Sequence, residues 1–390
     1  MTHKIYDFIL IEPIYWCMAH YTSDLKNITE ILKAAGYKIA VVNYIKNNKY
    51  HADKEYDVIN IFPDYKFPDR HYIINEKNKI KRFFKKIILD YHRYKFFEEI
   101  YRQIKNLSDN FYFGTYTTDS FPLFFLKTKS KNIYYWGLRS FYFTQPHFAI
   151  KNNPYTELKA IVLRKKILKY KSIKFFISNK FIKEEFISGG LEPNRLIERP
   201  ERTLNKLSNF KFDKLNKEFT LLTVGFIRKE KNLEFSIEVL KNQNVKFIIA
   251  GNSVSVYGKS LDEKIEEINA SNIIRKKGFI PDNEYHNLFI QSHFILIADK
   301  KSKSTVSNGT FLEALLKGRP VIVPDQKPYN YYVDKYNIGL KFIPNDKKSL
   351  LDTVKKVKLL GCRNFEEALI KFQKEYLLDN VAEIVKRQLI

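Results

Sequence analysis

Short apolar runs alternate with segments of helical spacing along this chain, and that alternation restricts the available folds more than any other feature. Tyr6–Glu12 is one such run. Ser23–Ala35 follows, with Leu25, Ile28, Ile31 and Leu32 at helical spacing and Gly36 as the stop, and Ile39–Asn43 is the next run. A period near 3.6 between two short apolar runs predicts strand, helix, strand. Units of this kind build parallel sheets covered by helices. Further strands are expected at Asp57–Phe62, from Phe111, at Asn132–Arg139, Ile173–Ser178, Phe219–Val224, Val245–Ala250, Ile273–Gly278, His293–Ala298 and Val321–Val323. The fold class is α/β. At 390 residues the chain suits two domains better than one core.

The stretch Ser304–Asp325 carries the most chemistry. It reads as a polar loop, a short helix, a glycine stop at Gly318 and a buried strand. Ser307 or Asn308 can cap the helix. Gly309 lets a ligand approach the backbone, and free amides at a helix start favour an anion such as phosphate. One turn further in, Glu313 can accept hydrogen bonds from sugar hydroxyls. The plain alternative is an ordinary loop–helix–strand unit with a solvated glutamate.

Charge narrows the partners. The net charge of +25 attracts phosphate-bearing molecules: nucleic acid, anionic lipid headgroups or phosphorylated substrates. No recognised RNA or DNA module appears, so nucleic acid is not expected. Lys77–Leu107 is a basic helical pattern with Ile80, Phe83, Phe84, Ile87, Ile88 and Tyr91 on one face, and Leu158–Lys174 repeats the theme. Each reads either as a core helix with a solvated basic side or as an interfacial helix on an anionic membrane. No apolar run approaches the roughly 18 residues of a membrane span. Asp7 and Glu12 interrupt the apolar N-terminus, which argues against a signal peptide. Cys17 and Cys362 make neither a disulfide framework nor a zinc cluster. A cytoplasmic setting is expected, with a peripheral seat on the inner face of the cytoplasmic membrane as the second reading.

In the N-terminal half, the Pro13–Thr22 loop stands at the carboxyl end of the first strand, where open α/β sheets place ligands. It holds Tyr15, Trp16, His20 and Tyr21. His20 reads as a general base, an acceptor contact or a plain loop histidine. Asp119, after a strand end, can meet an acceptor hydroxyl or cap a helix, and Arg139 can contact an anionic acceptor. Arg199 to about Lys217 is polar and irregular, as an interdomain linker would be.

The C-terminal half adds Val224-Gly225, then Arg228 and Glu230-Lys231, then Ala250-Gly251, Gly278-Phe279-Ile280 and the Glu313 helix. Over residues 217–345 this order resembles the nucleotide-sugar domain of GT-B glycosyltransferases, especially the large retaining group with a Glu-x7-Glu signature. The resemblance implies two Rossmann-like domains facing a cleft: an acceptor domain at 1–200, a nucleotide-sugar domain at 217–370, and a helix at 371–390 crossing back onto the first domain. It implies sugar transfer from a nucleoside-diphosphate sugar to a hydroxyl of a glycan or lipid-linked glycan, in bacterial surface polysaccharide synthesis. Lys231 and Arg228 would hold the diphosphate beside Gly225. Asn308, Gly309 and Thr310 would meet a phosphate, Glu313 the ribose, and the backbone at Phe279 and Ile280 the base. No metal or other cofactor is implied. Thr305 occupies the place of the first signature Glu, so donor identity and stereochemistry stay open. If transfer inverts, Asp119 and His20 are the candidate bases. The alternatives are a CMP-sugar-using or inverting relative and a non-catalytic glycan- or nucleic-acid-binding protein.

Overall fold

The computed structural model describes residues 4–12, 20–44, 56–64, 78–116, 118–128, 131–137, 154–208, 212–253, 255–300 and 308–389. The chain divides into two compact units, Met1–Thr203 with Leu378–Ile390, and Leu204–Leu377.

The first unit holds β1 (Phe8–Leu10), β2 (Ile39–Asn43), β3 (Asp57–Asn60), β4 (Asn110–Thr115), β5 (Asn132–Trp136), β6 (Ile173–Ile177) and β7 (Leu196–Glu198). They form one sheet in the order β3-β2-β1-β4-β5-β6-β7, with parallel pairings throughout. Among the described residues before Thr203 its helices are α1 (His20–Ala34), α2 (Lys79–Ile104), α3 (Pro154–Lys169) and α4 (Lys180–Ser188). Asn78 and Asn179 start α2 and α4, each side chain accepting two backbone N–H bonds of its first turn.

The second unit repeats the plan. Strands β8 (Thr220–Val224), β9 (Lys246–Gly251), β10 (Ile273–Lys277), β11 (Phe294–Leu296), β12 (Val321–Pro324) and β13 (Gly339–Phe342) make a second parallel sheet, ordered β10-β9-β8-β11-β12-β13. Helices α5 (Leu233–Leu240), α6 (Ser255–Ile268), α7 (Asp282–Gln291), α8 (Gly309–Leu316), α9 (Tyr329–Tyr336), α10 (Lys347–Leu360) and α11 (Glu366–Glu375) accompany it. In α5 the side chains of Leu233, Ile237, Val239 and Leu240 are buried. Both sheets reverse their strand order in the middle. In the second, the successor of β8 lies on one side and β11 on the other, which makes the β8–β11 boundary the topological switch point.

Two expectations need correction. The final segment is two helices: α11 stops at Glu375, and α12 (Leu378–Leu389) follows as part of the first unit. There Val381 and Val385 join Leu25, Ile28, Ile31 and Leu32 of α1 in one core cluster, and the Gln388 amide bonds Glu198 of β7 through both its oxygen and its nitrogen. Arg199 is no solvated linker residue: it is fully buried and ion-paired with Asp24 of α1, whose other oxygen accepts the Tyr112 hydroxyl. Its guanidinium lies 5.1 Å from the Trp136 ring centroid. Burial pushes the Asp24 carboxyl up, and the Arg199 charge opposes that push.

Candidate active site

The second sheet brings its polar side chains together where β8 ends. Val224 closes the strand, and Gly225 turns the chain with φ +97°, a left-handed backbone that glycine adopts without strain. The Val224 carbonyl accepts two side chains at once, Lys231 Nζ at 2.7 Å and Thr310 Oγ1 at 3.0 Å. Gly225 lies directly against both. A Cβ placed on it would stand 3.4 Å from Thr310 Oγ1 and 3.6 Å from Lys231 Nζ. The neighbouring strand end is equally tight: a Cβ on Gly251 would sit 2.1 Å from the Gly225 carbonyl oxygen. Gly225, Lys231 and Thr310, separated by up to 85 positions in sequence, thus share one spot at the switch point.

Lys231 is buried, and its ammonium is pushed down to about 8 by that burial. Asp299 pulls it back up, while the Arg228 charge adds to the depression. Arg228 itself is exposed, and its backbone carbonyl accepts the Lys231 N–H at 3.0 Å. It lies just before the 3-10 turn Lys229–Lys231 that carries Lys231 inward.

Asp299, just past β11, was not singled out in the sequence. Its carboxylate accepts the Tyr329 hydroxyl at 2.6 Å and faces the Asn308 amide nitrogen at 3.4 Å. Burial raises the Asp299 carboxyl, against the hydrogen bond from Tyr329 and the charge of Lys231. The same Tyr329 oxygen accepts the Asn308 backbone N–H at 3.1 Å. Asn308 in turn starts α8, its side chain accepting the Thr310 N–H at 3.0 Å. One chain of bonds therefore ties the loop after β11, the start of α8 and the start of α9. The signal for Asp299 was its place after a buried apolar run at the centre of the sheet; nothing local marks Tyr329.

Gly309 opens α8 with free space beside it: a Cβ there would meet nothing within 4 Å. Glu313 follows one turn along the helix. Tyr285 donates to its Oε2 at 2.8 Å, and Lys317 stands 3.9 Å from Oε1. Tyr285, from α7, was also missed, since its spacing reads as helix packing. Phe279 is 81% exposed and Ile280 leans on the core. Among the described residues no hydrogen bond or ring contact joins either to the Gly225–Lys231–Thr310 cluster. Thr305 lies outside the described residues. Of the N-terminal candidates, His20 is the first residue of α1 and Asp119 lies in the 3-10 segment Thr118–Phe125, with neither side chain described; Arg139 and the Pro13–Ala19 loop fall outside the described residues.

Residues 205–376 match the family model for Glycosyl transferases group 1, nearly the whole of the second unit. No curated protein matches the chain. Among solved structures, Anabaena Alr3699/HepE in complex with UDP and glucose superposes with a TM-score of 0.68 over 98% of this chain and 99% of its own, at 12% identity. Sucrose-phosphate synthase from Thermosynechococcus elongatus gives 0.66 over 97% and 96%, at 14% identity. WaaG, a glycosyltransferase involved in lipopolysaccharide biosynthesis, gives 0.60 over 96% and 97%, at 14% identity. At such identities the structures speak for a common fold, the two-sheet GT-B architecture. The family match to the second unit and the fold of the whole agree: residues 205–376 form a group 1 glycosyl transferase domain, carried on a chain with the GT-B fold.

Proposed function

We propose that this glycosyltransferase moves a sugar from a nucleoside-diphosphate sugar to a hydroxyl of a glycan or lipid-linked glycan in bacterial surface polysaccharide synthesis. The observation that carries this is the meeting of the Lys231 ammonium, Gly225 and Thr310 on the Val224 carbonyl, with the open start of α8 at Gly309 beside them. A departing diphosphate gains negative charge as the glycosidic bond breaks, and a fixed cation in a water-poor site stabilises that change. Lys231 serves as this cation, and Arg228 adds a second from the exposed side. The Gly309 amide meets a phosphate at the helix start, while the Thr310 amide is held by the Asn308 side chain beside it. Glu313 accepts the ribose hydroxyls, and the backbone at Phe279 and Ile280 borders the base. No metal is assigned a role.

If configuration is retained, the leaving phosphate takes the acceptor proton and no protein base is needed. If it inverts, Asp119 or His20 supplies one. Thr305, in place of a glutamate, favours testing CMP-linked donors beside UDP- and GDP-linked ones. HepE holds UDP and glucose, which puts UDP-glucose first in the panel. We also place the protein at the inner face of the cytoplasmic membrane. The support is α2, where Ile80, Phe84, Ile87, Ile88 and Tyr91 are exposed in one stripe and Lys81 and Arg82 are exposed beside them. Among the described residues no helix is long and apolar enough to cross a membrane.

The test is slow hydrolysis of a panel of sugar nucleotides, with the released nucleotide identified. Release from one donor, lost in Lys231→Ala and Glu313→Ala, is expected. Nucleotide binding left unchanged by both substitutions would remove the assignment.

A further inference from the structure

A cavity of about 450 Å³ opens in the first unit between the 3-10 segment Thr118–Phe125, the turn after it, α3 and the start of β5 and β6. That volume falls in the range of roughly 300–1,000 Å³ typical of small-molecule sites. Its wall is mostly apolar: Leu123, Leu126, Ile133, Tyr135 and Ile173 are buried there, with Thr128 and Ser172 among the polar lining. Ile133 stands near the amino end of β5 and Ile173 begins β6. Chemistry in such sheets gathers at the carboxyl ends, so sugar transfer gives this cavity no task.

Two amines sit among the lining. Lys127 is exposed. Lys166 is partly buried, donates to the Phe124 carbonyl and holds its ammonium 3.9 Å from the Phe125 ring centroid. Among the described residues no carboxylate pairs with it. Burial lowers its pKa, as expected for a cation in an apolar wall without a counter-charge. Phe125 lines the cavity and is 43% exposed, and Lys165 and Lys169 of α3, adjacent to Lys166 and one turn from it, are exposed. A largely apolar slot with cations among its lining is complementary to an amphiphile of opposite charge.

We infer that this cavity takes one hydrocarbon chain of an anionic lipid, with the headgroup held by Lys166 and Lys127. The site lies wholly in the first unit, apart from the Lys231 cluster, so it stands or falls independently of the donor assignment. The full-length protein is titrated with dodecyl phosphate below its micelle concentration, with inorganic phosphate as the head-only probe and dodecanol as the chain-only probe. One-site binding is expected for dodecyl phosphate, about tenfold or more tighter than for either fragment. Lys166→Gln weakens it about tenfold, and Thr128→Trp, which fills the lining, removes it, while Phe84→Ser on α2 leaves it unchanged. With phosphatidylcholine vesicles, adding phosphatidylglycerol promotes binding by the native chain, and Thr128→Trp reduces that gain. Dodecyl phosphate binding no better than phosphate, or binding untouched by Lys166→Gln, overturns the inference, whether or not the tryptophan variant folds.

Discussion

Lys231 is a cation kept at the edge of neutrality. With its folded value near 8 against an ordinary lysine value of about 10.4, it is charged below pH 8 and loses its proton above. A diphosphate binds the charged form, so nucleotide affinity is expected to be flat up to about pH 7 and to fall as pH rises through 8 and beyond. The free protein responds in the opposite sense. Its unfolded state holds the extra proton between about 8 and 10.4, so stability gains over that window as the cost of a buried charge is relieved. Titration calorimetry across pH checks the first trend, and Lys231→Met should abolish it while weakening binding by about 1.5–3 kcal/mol. Glu313 offers a second residue-level test. Tyr285 fixes one of its oxygens, so Tyr285→Phe should weaken a ribonucleotide by about 0.5–1.5 kcal/mol and leave its 2′,3′-dideoxy form nearly unaffected. Equal losses for both forms would assign Tyr285 to packing alone. At this scale the sequence exposes residues that motif spacing marks, such as Gly225, Lys231 and Thr310. It hides Asp299, Tyr329 and Tyr285, because each acts through a partner from another helix or loop and no local pattern records who that partner will be.

The element that sets the geometry is the turn out of β8. Gly225 combines a left-handed backbone with side chains at contact distance on its open face, so Gly225→Ala strains the backbone by about 1–3 kcal/mol. The added methyl also comes into van der Waals contact with Thr310 Oγ1 and Lys231 Nζ. Nucleotide affinity is expected to fall by more than thermal stability does, a split that parallel binding and melting measurements reveal. Elements of this kind were largely legible beforehand. Ile39–Asn43 keeps both predicted ends, and the capping of α8 resolves in favour of Asn308 over Ser307 because its side chain reaches the Thr310 N–H. Boundaries moved where the chemistry is ambiguous. The basic pattern from Lys77 to Leu107 contracts to Lys79–Ile104 because Asn78 accepts the first-turn amides and so stops the helix from starting earlier. The tail broke in two at Tyr376–Leu377, where no glycine or proline announces a stop.

At the level of the whole molecule, the α/β class and parallel sheets follow from the alternation of apolar runs and helical spacing. What no run announces is that α12 belongs with the first 203 residues. Its Val381 and Val385 contribute about 1.5–3 kcal/mol each to the core over α1 if fully buried. A chain ending at Leu377 should therefore lose melting stability in the first unit and keep nucleotide binding in the second, whose cluster shares no residue with α12. Calorimetry with and without nucleotide separates the two; lost nucleotide binding in a folded truncation would contradict it. Arg199 belongs here too. A lone arginine in a polar stretch looks solvated until the partner, Asp24, arrives from 175 positions away.

Because the helix that completes the first unit is made after the whole second unit, the emerging chain carries that first unit unfinished while residues 204–377 are synthesised. Synthesis of residues 204–389 takes roughly ten to forty seconds at ordinary rates. Throughout that interval Leu25, Ile28, Ile31 and Leu32 wait with part of their apolar surface uncovered, a natural target for chaperones, while Leu204–Leu377 is free to fold first.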